Sequence, residues 1–180
     1  MRGRISVISA GLLLLTGCGG EASVALPTPS VAVTKLPASA AGGVCKLLDF
    51  GVIEEVTGAQ FDVSAARSHK KTQTCVVQTE ATSWPDLLLS VTQTSADTAV
   101  FTAEMVPQGA RTVKGIGKAA YQLTIAPGKV HGGAVEVAWL RDNRVFCLRH
   151  TFSKGTDKAA AEKFAPKLIE LAKRLDATKP

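Results

Sequence analysis

Aromatic residues are scarce in this chain, with two Trp, one Tyr and six Phe among 180 residues. That scarcity excludes one class of function, because platforms that stack nucleic-acid bases interleave aromatics with cations. The positive charge is dispersed, with three small basic groups: Arg67 with Lys70 and Lys71, Arg111 through Lys118, and Arg141, Arg144 and Arg149. None is interleaved with aromatics, so no nucleic-acid partner is expected. Histidine is also sparse, at three. No His-Glu-x-x-His segment and no close Cys/His/carboxylate cluster occurs, which leaves a metal ion without ligands. A cysteine nucleophile needs a histidine base and an orienting third group. His69, His131 and His150 show neither spacing nor neighbours that would assemble one. The expectation is therefore no catalytic residue, no metal and no cofactor. The chain also lacks a long apolar run. The uncharged stretch from Ile5 to Leu15 would cover roughly 16 Å as a helix, well short of the ~30 Å hydrocarbon core.

What is present at the start has the order of an export signal. Arg2 and Arg4 make a positive end, which anionic lipids hold on the cytoplasmic side. The apolar run follows, and then Leu15-Thr16-Gly17-Cys18, which resembles the lipobox of bacterial lipoproteins. That resemblance implies a leader over residues 1–17 and a diacylglyceryl group on Cys18. It also implies a mature chain tethered to the outer face of the cell membrane. Each buried methylene adds about 0.8 kcal/mol of membrane affinity, so two or three chains make a near-permanent anchor. Loss of Arg2 and Arg4 with the leader takes the formal charge from +6 to +4.

Residues 18–43 carry the lipidated end and a segment of small residues with Pro27, Pro29 and Pro37. Such a composition cannot build a packed face and reads as a flexible stalk. Residues 44–180 suffice for one domain with a single core. Val44, Leu47, Leu48, Val52 and Val56 lie at helical spacing over 44–57, with Gly58 as the stop. Strand character follows from Cys75 to Thr79. Trp84-Pro85-Asp86 reads as a turn, and Leu87, Leu89 and Val91 then alternate as a second strand. Residues 95–106 are compatible with a short helix.

Tyr121 to Ile125 alternates again. Residues 134–141 and 144–152 flank Asp142-Asn143 as a hairpin. In that register Trp139 pairs with Phe146, Val137 with Leu148, Glu136 with Arg149 and Ala138 with Cys147. Val135, Val137, Trp139, Phe146, Leu148 and Phe152 then form the core face, and His150 shares it. A last helix over about 157–175, capped by Thr156 or Asp157, turns Ala161, Phe164, Leu168, Leu171 and Leu175 inward. Pro166 should kink it or split off its first turn. The sum is an α+β single domain, an antiparallel sheet with helices packed on one face.

Outside the cytoplasm a bridge among Cys45, Cys75 and Cys147 is permitted. Cys45 with Cys75 is preferred, since one opens the first helix and the other the first strand, where two layers meet. Cys45 with Cys147 is the rival pairing, although the hairpin register places Cys147 on the face opposite the aromatic core.

Several short motifs, Cys45-Lys46-Leu47-Leu48, the helix stop at Gly58, Cys75-Val76-Val77 and Val113-Lys114-Gly115-Ile116-Gly117-Lys118-Ala119-Ala120-Tyr121, resemble the actinobacterial DUF3558 lipoproteins over residues 44–175. The resemblance implies an export signal with a lipobox, a polar stalk and one domain of this size, and it implies no activity. Lys118 stands where that family often has an aspartate, and Cys147 is additional. Gly115 and Gly117 permit a bend before the strand at Tyr121. The segment is too short, and wrongly placed, for a nucleotide-binding loop.

Together these features lead to a membrane-anchored envelope lipoprotein with a non-catalytic binding or interaction role. Its partner would be an envelope protein, a glycan or an apolar ligand. Two further readings stand beside it: a carrier of a lipid or other apolar solute, and an enzyme of a class that the residues do not identify.

Overall fold

The structure, a computed structural model, describes residues 36–178. The leader, Cys18 and the first part of the stalk lie outside the described residues. The chain forms one α+β domain around a seven-stranded antiparallel sheet. Helix α1 (Phe50–Thr57) comes first, followed by β1 (Val63–His69), β2 (Thr72–Thr79) and β3 (Thr82–Gln93). A single turn α2 (Thr98–Val100) continues into a π-turn at Phe101–Met105. Then come β4 (Arg111–Val113), β5 (Ala119–Ile125), β6 (Ala134–Arg141), β7 (Arg144–Thr151) and α3 (Lys158–Ala177). Across the sheet the order is β1-β2-β3-β7-β6-β5-β4, two meanders joined where β3 pairs with β7.

The β6–β7 hairpin has the expected register at all four pairs. Asp142 and Asn143 take φ of 49° and 57°, the left-handed pair of a type I′ turn whose twist matches the strands it joins. Val135, Val137, Trp139, Phe146 and Leu148 are buried in the main core, with Phe152 packed against it. In α3 the expected inward residues Ala161, Leu168, Leu171 and Leu175 are buried, with Phe164 partly so. Asp157 is the cap, accepting a hydrogen bond from the Ala160 amide at 2.7 Å. Pro166 neither ends α3 nor splits off its first turn. It lies on the exposed side of a continuous helix, where water can reach the carbonyl that it leaves unbonded.

Three further expectations need correction. The first helix starts at Phe50 rather than Val44. Asp49 caps it by accepting from the Val52 amide at 2.9 Å, and Gly43–Leu47 form a separate 3-10 turn. Gly58 does stop it, at φ 76°. Within the segment read as stalk, Ala38–Ala41 form another 3-10 turn with Ala38 buried against the core, so ordered packing begins ahead of Val44. Trp84-Pro85-Asp86 is part of β3 and no turn. The ladder to β2 runs through Asp86 with Gln78, then shifts to Thr82 with Thr79, and β7 pairing starts only at Asp86. Pro85 sits in that irregularity, where no ladder donor is required of it. The face opposite α1 and α3 carries a cluster of its own. Phe101 closes over Tyr121, Ala138 and Leu140 in a second small core, which also reaches Cys147.

Candidate functional site

Side chains alternate along a strand, so parity decides which residues share the helix-covered face. On that face lie Cys75 and Val77 of β2, Leu87, Leu89 and Val91 of β3, Phe146 and Leu148 of β7, and Val137 and Trp139 of β6. The same parity continued to one end of the sheet brings polar residues into line. Gln73 pairs with Val91 and Val91 with Phe146. One rung further out, Gln93 pairs with Arg144 and Arg144 with Arg141, while the Gln93 amide donates to the Lys71 carbonyl at 3.0 Å. The core-facing stripe thus ends in two amides and three cations at positions where apolar residues stand elsewhere.

Over this end the 3-10 turn at Gly43–Leu47 and the end of α3 stand apart and leave a pocket of about 260 Å³. Its floor is Val91 and Phe146, and Leu47 and Leu175 face each other as walls. Lys46, Lys71, Arg141 and Arg144 surround it, and no carboxylate lines it among the described residues. Arg141 already has partners. Its guanidinium donates to the Asp176 carbonyl, to the Thr178 carbonyl at 3.1 Å and to Asp142 Oδ2 at 3.0 Å. Those bonds satisfy carbonyls at the C-terminal end of α3, where a cation is favoured, and they fix one pocket wall. Asp176 also accepts from the Gly117 amide at 2.9 Å. Gly117 has φ 50°, and a Cβ there would come 2.4 Å from the Leu140 carbonyl oxygen, so the glycine-containing bend serves this packing. Lys46, Lys71 and Arg144 have no ion-pair partner among the described residues. Three cations converging on a concave, partly apolar surface repel one another and attract an anion.

Of the residues singled out from sequence, Cys18 lies outside the described residues. Cys45 and Cys75 are bonded, with a Cα–Cα distance of 5.0 Å and a sequence separation of 30. The bridge pins the Gly43–Leu47 turn to β2, so it holds up the wall that carries Lys46 and Leu47. Cys147 is free and lies on the opposite face, beside a buried carboxylate. Glu136 there accepts from Tyr121 Oη at 2.8 Å and from Arg149 Nε at 2.8 Å.

Burial, with Glu136 adding to it, pushes the Cys147 thiol up to about 12. A thiol held so high supplies almost no thiolate nucleophile near neutral pH. Iodoacetamide at pH 8 should therefore label Cys147 about a thousandfold more slowly in the native protein than in urea. Similar rates in the two states, read by mass spectrometry, would show the thiol to be open.

The histidines do not converge. His69 is on the exposed end of β1, and His131 packs its ring 5.3 Å from that of Trp84. His150 is enclosed by Phe61, Phe152 and Phe164, and burial pushes its pKa down to about 4. Among the described residues no group of three His, Cys, Asp or Glu could hold a metal ion, and no helix is long and apolar enough to cross a membrane.

Lys71 came from one dispersed basic group and Arg141 with Arg144 from another, and only the fold brings them to Lys46. The signal in the sequence was parity: Lys71, Gln73, Gln93, Arg141 and Arg144 extend apolar stripes with polar residues. No family model, curated protein or solved structure matches this chain.

Proposed function

We propose that this chain is a non-catalytic binding protein, tethered to the outer face of a membrane through lipid on Cys18, and that the basic end pocket is its ligand site. The observation that carries the binding role is a 260 Å³ pocket with four surrounding cations and, among the described residues, no carboxylate. Sites for small ligands are concave, largely apolar and fitted with a few placed polar groups, and they run to about 300–1,000 Å³. This one lies just below that range, as suits a small anionic group. The Leu15-Thr16-Gly17-Cys18 motif supports the tether, and the resemblance to DUF3558 lipoproteins adds the same expectation of address.

Thermal denaturation of the full chain tests the pocket. Inorganic phosphate at tens of millimolar, compared with chloride at equal ionic strength, should raise Tm by a few degrees through preferential binding to the native state. The Lys71→Gln/Arg144→Gln variant should lose that increment. An equal rise in both proteins would reduce the effect to general salting of the surface and remove the pocket from the account. Cys18→Ser should release the protein from the membrane fraction. A membrane-bound Cys18→Ser protein, or a native chain with no acyl mass on Cys18, would remove the tether.

A further inference from the structure

We infer that the occupant of the end pocket is a single-chain anionic amphiphile. Its head would be held by Lys46, Lys71 and Arg144, and its tail would lie in a second groove beyond Leu47 and Leu175. The inference rests on the reading of the pocket as a ligand site and adds the chemistry of the ligand. The second groove, of about 280 Å³, runs between the Gly43–Leu47 turn, α1 and α3. It shares Lys46, Leu47, Leu175 and Thr178 with the basic pocket, so the two cavities meet along one leucine-walled border.

Their chemistries are complementary halves of an amphiphile. In the second groove Leu48, Val52, Ile53 and Leu171 supply an apolar lining. Apart from the shared Lys46, its charged members are already engaged: Asp49 accepts from the Val52 amide, and Arg174 donates to Glu55 Oε1 at 2.9 Å. Of the cations around the first pocket, Lys46, Lys71 and Arg144 have no counter-ion among the described residues. Each cavity alone is below the usual size of a small-ligand site, and a ligand with a charged head and a flexible apolar tail uses both. A compact hydrophilic anion would use only the first, and a neutral hydrocarbon only the second.

The test is a chain-length series on the full chain carrying Cys18→Ser, so that neither its own lipid nor detergent competes. Inorganic phosphate and ethyl, butyl, hexyl and octyl phosphate are titrated, with octyl trimethylammonium and phosphatidylglycerol vesicles as the other arms. Affinity should tighten about threefold to fourfold per methylene until the groove is filled, and the ammonium should not bind. Lys71→Gln/Arg144→Gln should weaken every member of the series by a similar factor, about tenfold or more. Val52→Gln, which adds no charge beside Lys46, and independently Ser39→Trp at the exposed rim of the groove, should flatten the length dependence while leaving inorganic phosphate binding in place. Two groove variants are used so that misfolding of one, read by circular dichroism, leaves the other decisive. Phosphate binding with no gain along the series overturns the amphiphile and leaves the anion site standing. Failure of every phosphate, inorganic included, overturns both. Binding to vesicles without binding to soluble octyl phosphate identifies a membrane-surface contact and overturns the cavity as its cause, and equal binding of the ammonium overturns the role of the cations.

Discussion

Replacing Cys45 and Cys75 together by alanine is expected to lower the unfolding free energy by about 3–4 kcal/mol and Tm by roughly 10 °C. The bridge closes a separation of 30 residues, and the loop-entropy account assigns that magnitude to the freedom it removes from the unfolded chain. Both cysteines are fully buried, so the pair of alanines also forfeits packing around the sulfurs. The effect should extend beyond stability. Besides the bridge, the Gly43–Leu47 turn is held by Val44 in the core and Leu47 packed against it, and it carries Lys46 and Leu47 of the pocket. Phosphate binding should therefore weaken in the double variant even at temperatures where it is fully folded. A Tm within 2–3 °C of the parent (about 1 kcal/mol), or unchanged phosphate affinity, would show that the turn holds its place without the sulfurs.

Acidification should destabilise the domain through His150 before most carboxylates titrate. Its ring is 2 % exposed, with ring centroids of Phe152 and Phe164 at 4.4 and 4.5 Å. Burial lowers its pKa from 6.5 to about 4, because the site has replaced the water that would solvate an imidazolium. The unfolded chain takes up the proton at 6.5 and the folded one resists until about 4. The stability that this histidine permits is thus complete above pH 6.5, declines as the pH falls from there towards 4, and is gone below. Linkage puts the loss at about 2 kcal/mol by pH 5 and about 3 kcal/mol in full. Urea denaturation at pH 7.5 and pH 5 should show that difference in the parent. His150→Leu, similar in volume and without a charge to acquire, should lose it. A parent whose stability is flat between those values would mean that water or a hydrogen-bond partner reaches the ring.

The elements legible in the sequence were those in which burial leaves a pattern. One face of the β6–β7 hairpin lies in the main core, so its alternation and its Asp142-Asn143 turn named both register and core. In α3 one stripe faces the sheet, and the 3.6-residue period showed through despite Pro166. Strand β1 left no such trace. Six of its seven residues are exposed and the other is half-buried, so it is held at the sheet edge by backbone bonds to β2, which place no demand on side-chain polarity. Strand β4, at three residues, is too short for a period. Proline at 85 misled for a related reason: whether a missing donor matters depends on the partner strand's register, which is a long-range fact.

The sequence by itself determined the chemistry that needs only adjacency. That covers the local periods that name an α+β domain, and the lipobox-like order on which the proposed tether rests. The pairing of Cys45 with Cys75, against Cys147, was favoured there and decided by the fold, which places Cys147 across the sheet. The pocket belongs wholly to the tertiary structure. Lys46, Lys71 and the pair Arg141 and Arg144 come from three separate segments, and each alone reads as an ordinary solvated charge. They become a site because four strands end in register and two covering segments diverge above them, so that charges distant along the chain share one concave surface that no carboxylate lines among the described residues.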